Sequence, residues 1–254
     1  MNGINHLKKD SIKKIKINMK IAVVIPTYKR KDGKSEIVIE RALDSVFNQT
    51  HKDFKVYVIG DKYEEDEDLI KIINKYDSEK IVYHNLEIAK ERDFYTDKWV
   101  LWSYGGVNAR NYSIDLVLKD GYEYICPLDH DDWFLPNHLE EISKCLELTG
   151  ADWVCTKSTY GNPNTFLPEV HSNNLYIPFQ PRSSRLIHSS VCMNFKRIPL
   201  KYRNIYEETQ KLGLPADADL WERTREYITQ NKLKSYNINI LTCRHDEEGY
   251  ERKQ

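Results

Sequence analysis

Two apolar, β-rich runs, KIAVVIP from Lys20 and FKVYVIG from Phe54, each with a single lysine at or next to its start, constrain this fold more than any other feature of the sequence. A strand that alternates apolar and polar residues can leave one face in water, whereas one that is apolar throughout has to be covered on both. Between the two runs, SEIVIERALDSVFNQ places Ile39, Leu43, Val46 and Phe47 at helical spacing, which predicts a helix capped by Ser35. EEDEDLIKIINKY then reads as an acidic-started helix and KIVYH as a third strand. This βαβαβ order predicts an α/β fold with a mainly parallel sheet and helices on both faces. Further on, VNARNYSIDLVLKDG predicts a helix closed by Gly121, and YEYICPL a strand. PNHLEEISKCLELTG predicts a helix with Pro136 in its first turn and Gly150 past its end. ADWVCTKSTY and RLIHSSVCMNF, the latter carrying His188, read as strands. Residues 86–104 are aromatic and charged without clear period, and their Trp99, Trp102 and Tyr104 suit either core packing or stacking on sugar rings. Residues 161–185, rich in Pro, Asn and Ser, predict a loop over the site.

Composition narrows the function classes. The 254 residues carry 38 basic and 39 acidic side chains, a formal charge of -1, so nothing points to a nucleic-acid partner. Residues 1–19 form a lysine-rich extension that lacks the apolar core, about 7 to 15 residues, of a signal peptide. The expectation is a solvated, flexible arm, or one drawn to an anionic membrane surface at roughly 1 kcal/mol per Lys. No run approaches the ~20 apolar residues that cross a bilayer, which predicts a cytoplasmic protein, soluble or membrane-peripheral. Five widely spaced cysteines, none in a CxxC pair, predict buried thiols rather than a disulfide framework or a zinc cluster.

The chemistry concentrates in LDHDDW, where Asp129, Asp131 and Asp132 fall at the carboxyl end of a strand. Open α/β sheets bind ligands at that edge. Three carboxylates so close repel one another unless a cation sits among them, and Mn2+ or Mg2+, completed by diphosphate oxygens, is the natural neutraliser. The plain alternative is an Asp-rich turn facing solvent.

Four segments in order resemble the family 2 glycosyltransferases, which have the GT-A fold: VIPTYKR (24–30), ALDSVFNQTHKDFKVYVIGD, GGVNARN (105–111) and LDHDDWFLPNHL. The resemblance covers residues 20–245. It implies a single Rossmann-like GT-A domain with a nucleotide-binding half (20–132) and an acceptor-side half (133–245), followed by a tail (246–254). It also implies an inverting, metal-dependent, hexosyltransferase-like enzyme that moves a sugar from a nucleotide-sugar donor, UDP-linked by family habit with GDP and dTDP as alternatives, to a hydroxyl on a glycan or other acceptor. Carried over by position, Pro26, Thr27 and Tyr28 would meet base and ribose, Arg30 the phosphates, and Asp61 the uracil ring. Arg92 or Arg110 would neutralise the diphosphate, and Asp129 would contact ribose or metal-bound water. Asp131 would hold the ion, with Asp132 beside it. LPADADLWERTREYI resembles the family's EDxxLWxR helix start, which makes Asp217 the catalytic base. Ala216 stands where a Glu is usual, leaving Asp219 as the other candidate. LTCRHDEEGY resembles the closing YRxH element, making His245 a ligand to metal or phosphate.

Two other readings compete. A sugar-phosphate nucleotidylyltransferase needs a Gly-rich loop after the first strand, and PTYKRKDGKSE has a single Gly. A non-catalytic nucleotide-sugar or glycan-binding module is favoured only by Ala216.

Overall fold

The first strand, β1 (Ile21–Thr27), is buried along its whole length because it pairs on both edges, in parallel with β2 (Phe54–Gly60) and with β4 (Tyr124–Pro127). The structure, a computed structural model, describes residues 19–204 and 213–245; the expected N-terminal arm, apart from Met19, and the C-terminal tail lie outside them. Alternate residues of β1 feed two cores. Ile21, Val23 and Ile25 pack with Ile39, Leu43 and Val46 of α1 (Ser35–Phe47) and with Leu139 and Ile142 of α6 (His138–Thr149). Ala22 and Val24 face the other way, toward Val107, Ile114 and Val117 of α5 (Val107–Lys119) and Leu220, Trp221 and Ile228 of α7 (Ala216–Asn231). Each fully buried Val, Leu or Ile contributes about 1.5–3 kcal/mol, and the continuous apolar run is what two covered faces require.

Beyond β2 the chain adds α2 (Glu67–Ile73) and β3 (Ile81–Asn85), and on the other side of β4 come β9 (Val191–Asn194), β6 (Trp153–Tyr160), β10 (Ser235–Arg244) and the two-residue β5 (Trp133–Phe134). The sheet order is β3-β2-β1-β4-β9-β6-β10-β5. β9 runs antiparallel between β4 and β6, so β3, β2, β1, β4, β6 and β10 all point the same way. Their carboxyl ends therefore share one edge, where Tyr28, Asp61, Asp129 and His245 emerge. The parallel-sheet expectation holds for this set, and the antiparallel strands are additions to it.

Several local expectations are corrected. Ser35 is the first residue of α1, not its cap; Lys34 takes the cap position and the Ser35 hydroxyl accepts the Arg30 N–H at 2.6 Å. Helix α6 starts at His138, two residues after Pro136, while Gly150 closes it in the left-handed region as expected. Residues 86–104 hold two short helices, α3 (Lys90–Phe94) and α4 (Lys98–Tyr104), the second capped by Asp97, whose carboxylate accepts the Val100 N–H at 3.0 Å. Of their aromatics, Tyr104 is buried and donates its hydroxyl to the Leu214 carbonyl at 3.0 Å, whereas Trp99 and Trp102 are exposed. The expected loop at 161–185 contains edge strands β7 (Asn162–Leu167) and β8 (Tyr176–Pro178), too exposed to show an apolar pattern. His188 opens a 3-10 turn (His188–Ser190) ahead of β9 rather than lying in the strand. All five cysteines are free and buried. Among the described residues no helix is long and apolar enough to cross a membrane.

Candidate active site

At the end of β2, Gly60 lets the strand approach Asn85 so closely that a Cβ there would collide with the Asn85 amide. That amide closes the turn, accepting the Tyr63 N–H and donating to the Tyr63 carbonyl, each at 2.8 Å. The tight exit aims Asp61 at the shared strand edge. Asp61 is 1% exposed, and its Oδ2 accepts from Arg92 Nε at 3.1 Å while the same guanidinium also binds the carbonyls of Asp61 and Lys62. Its other oxygen, Oδ1, is buried without a hydrogen-bond partner. Burial pushes this carboxyl's pKa upward against the pull of Arg92. The Arg92 guanidinium also lies 5.0 Å from the Tyr28 ring centroid, and Tyr28 meets His130 edge-on at 5.2 Å. Pro26 and Thr27 end β1, and the Thr27 carbonyl accepts the Asp61 N–H at 2.7 Å.

The acid cluster after β4 carries its own cations. Arg110, on α5, donates to Asp129 Oδ1 at 2.8 Å, Arg30 donates to Asp131 Oδ2 at 3.1 Å, and His245 Nδ1 meets Asp132 Oδ1 at 2.9 Å. The repulsion expected from the sequence is thus balanced one partner at a time. Burial pushes Asp129 up, but Arg110, backed by His188 and His245, overrides it and holds the carboxyl well below the usual range. Asp132 is fully buried and burial raises it, despite His245. For His245 burial works against the charge, yet Asp132 wins and lifts the imidazole to about 9. Arg110 itself is placed by Gly106, whose positive φ of 80° starts α5.

Across from this cluster stands the amino end of α7. Asp219 is 4% exposed and committed, accepting from Arg223 Nε at 2.8 Å with Arg203 at 3.9 Å from its other oxygen. Asp217, half-buried, accepts only the Ala218 N–H at 2.8 Å and has no cationic partner among the described residues. It still lies close enough to bear electrostatically on Arg110, His188 and Tyr202.

Over 242 residues the chain is 37% identical to an uncharacterised glycosyltransferase of Acanthamoeba polyphaga mimivirus, covering 91% of this chain and 95% of that protein. Residues 100–213 match the model of glycosyl transferase family 2. This chain belongs to glycosyl transferase family 2. The transferase superposes on S. aureus TarS in complex with UDP with a TM-score of 0.63 and 17% identity, over 89% of this chain and 60% of that one. It also superposes on the mannosyltransferase PcManGT of Pyrobaculum calidifontis, solved with GDP-Man and Mn2+, with a TM-score of 0.53 and 11% identity, over 92% and 59%. These likenesses give the GT-A fold, and the transferase spans about three fifths of each of those chains.

Four residues around the candidate site carried no signal in the sequence. Ser189 accepts the Asp129 N–H at 3.0 Å and donates to Asp132 Oδ2 at 2.5 Å, tying two acids together. Arg41, from α1, donates to the Asp131 carbonyl and stacks 4.1 Å over the Trp133 ring. Glu91 is buried beside the start of α5, its carboxyl pushed by burial to about 6. Tyr202 lies under Arg110 at 5.7 Å. All four act through contacts distant in sequence, which periodicity does not reveal. Among the described residues no three His, Cys, Asp or Glu side chains are grouped to hold an ion unaided.

Proposed function

We propose that this transferase moves a sugar from a nucleotide-sugar donor, UDP-linked, to an acceptor hydroxyl with inversion, using Asp217 as general base. The observation that carries the reading is the contrast between the acids. Asp129, Asp131, Asp132 and Asp219 each hold a cationic partner, while Asp217 alone faces the Arg110–Asp129 pair with its charge uncommitted. A base has to keep a free lone pair in reach of the proton it takes.

At the donor end, Asp61 Oδ1 offers a buried acceptor for the single imide N–H of uracil, and the Tyr28 ring, held between Arg92 and His130, offers a face for the base. Pro26 and Thr27 would back the ribose, with Asp129 at its far side. Arg30, whose donors go to Asp32 and Asp131, and Arg110, held by the Gly105 carbonyl and Asp129, carry guanidinium forks that would suit phosphate in exchange for those partners. Arg92 serves the base end in this arrangement, because it lies beside Asp61 and over the Tyr28 ring. The acceptor oxygen attacks the anomeric carbon as Asp217 takes its proton, the bond to the diphosphate breaks, and its electron pair leaves with the nucleoside diphosphate.

The donor set fits a divalent ion that draws most of its ligands from phosphate and water. Asp131 is partly exposed, with one oxygen engaged by Arg30. His245 Nδ1 is oriented by the buried Asp132, so an ion that displaced the Nε2 proton of the ring would find that nitrogen already positioned. Asp132, with both oxygens engaged, then acts by holding His245 rather than as an open ligand. When bound, Mn2+ or Mg2+ would supply Lewis-acid stabilisation of charge on the departing diphosphate.

Asp217→Asn tests the reading. Donor turnover is expected to fall by about 10²–10⁴ with nucleotide affinity intact, and a variant that turns over like the parent would remove the base from the scheme.

A further inference from the structure

His188, in the turn that opens ahead of β9, is held firmly by its neighbours yet is only half satisfied in hydrogen bonding. Its turn is pinned to the acid cluster, because the next residue, Ser189, bonds to both Asp129 and Asp132. Its ring is wedged between two other elements. Tyr202 meets it edge-on, with centroids 5.6 Å apart, and Trp221, one turn beyond Asp217 on α7, lies 5.4 Å away. The Tyr202 backbone is itself clamped by the Asn111 side chain through bonds of 2.8 and 3.0 Å. The imidazole therefore cannot swing between roles, and its two nitrogens have separate fates. Nε2 bonds to the Tyr202 hydroxyl at 3.1 Å, whereas Nδ1 is buried with no hydrogen-bond partner among the described residues.

An unmade buried hydrogen bond costs about 1–3 kcal/mol, and such a group in a native protein calls for an explanation. Its surroundings supply one. His188 feels Asp129 from the donor side and Asp217 from the base side, with Arg110 opposing them. Ser189 ties its turn to Asp129, Tyr202 on one side of its ring also lies under Arg110, and Trp221 on the other side is one turn from Asp217, so the ring sits between the acid cluster and the proposed base, the interval that a transferred sugar would occupy. Burial holds the ring neutral despite the two acids, so Nδ1 offers a single uncharged donor or acceptor. A phosphate would call for a cation there, whereas a sugar hydroxyl both donates and accepts.

We infer that His188 is a specificity-determining contact to the donor sugar, its Nδ1 making a hydrogen bond with a hydroxyl of the transferred ring while Tyr202 fixes the ring through Nε2. This inference rests on the proposed nucleotide-sugar chemistry. Its consequence is selectivity: a sugar that presents a hydroxyl to Nδ1 satisfies the buried nitrogen, and an epimer or deoxy analogue leaves it unpaired.

Two near-isosteric variants separate this role from a structural one. Asn carries its amide near the place of Nδ1 and Gln near that of Nε2, so His188→Asn keeps the sugar contact and His188→Gln keeps the bond to Tyr202. Calorimetry with Mn2+ would measure UDP, GDP and dTDP and their glucose, galactose, mannose and N-acetylglucosamine conjugates against the parent and both variants. The expected result is a parent that binds one conjugate more tightly than its bare nucleotide. His188→Gln loses about tenfold or more of the affinity for that conjugate with the bare nucleotide unchanged, and His188→Asn retains most of it. Tyr202→Phe, which removes the Nε2 bond but leaves the aromatic packing, is expected to weaken the preference among sugars without abolishing it. The inference is overturned if Gln preserves the preference and Asn destroys it, if both variants match the parent, or if bare-nucleotide and conjugate affinities fall together. A parent that binds no nucleotide at all would instead overturn the donor reading beneath it.

Discussion

His138 links the fold's stability to acid through a route the site depends on. The ring is fully buried on α6, stacked on Phe134 with centroids 3.8 Å apart, and its Nδ1 lies 2.8 Å from Thr242 Oγ1 while Nε2 has no partner. Burial lowers its pKa from 6.5 to about 3. Above about pH 6.5 neither the folded nor the unfolded chain protonates this group, so it contributes no pH dependence. As pH falls from 6.5 toward 3, the unfolded chain takes a proton that the folded chain refuses, and the folded state loses about 1.4 kcal/mol per unit. By roughly pH 4.5 the loss is two units' worth, about 2.7 kcal/mol, a large share of the stability of a domain. The corner at risk is the one where β5 pairs with β10, and it lies between Asp132 and His245, so acid should loosen the site as well. Urea unfolding at about pH 7 and pH 4.5, for the parent and for His138→Asn, isolates the effect from other titrating groups. The variant's stability should change with pH by about 2–3 kcal/mol less than the parent's over this interval. Equal pH dependence in the two would refute the reasoning.

Other outcomes follow from the same geometry. Asp131→Asn should abolish whatever gain in UDP affinity Mn2+ gives over EDTA in calorimetry, while leaving the metal-free affinity nearly as it was. Gly60→Ala should lower the melting temperature and weaken nucleotide binding together, because the new methyl displaces the Asn85 clamp that aims Asp61. Asp219→Asn should cost about 1.5–3 kcal/mol of stability by removing the charge that Arg223 pairs with, yet leave donor turnover measurable at an unfolding-free temperature. Asp217→Asn should do the reverse, and exchanged phenotypes would assign the base to Asp219.

What the sequence made legible follows its physics. β1, β2 and β4 could be read because a strand covered on both faces has to be apolar throughout, and α1 and α6 because each buries one stripe. α3 and α4 are too short to show a helical period, and β7 lies exposed at an edge, so neither leaves a pattern. At the site, Asp129, Asp131 and Asp132 stood out because like charges rarely crowd without cause. Their actual partners, Arg110, Arg30 and His245, come from distant segments, and no local rule pairs them. The choice between Asp217 and Asp219 stayed open for the same reason, since it turns on Arg223 and Arg203 folding back onto one of them. Ser189 left no signal at all, being one small polar residue whose meaning lies in a bond across 57 positions.

The central claim is that this strand edge binds the nucleotide end of a sugar donor. Calorimetric titration of UDP, GDP and dTDP into the protein, with Mn2+ and with EDTA, tests it most directly. Metal-enhanced binding is expected, with UDP tightest and weakened when Asp61 becomes Asn; no binding of any nucleotide under either condition would contradict the claim.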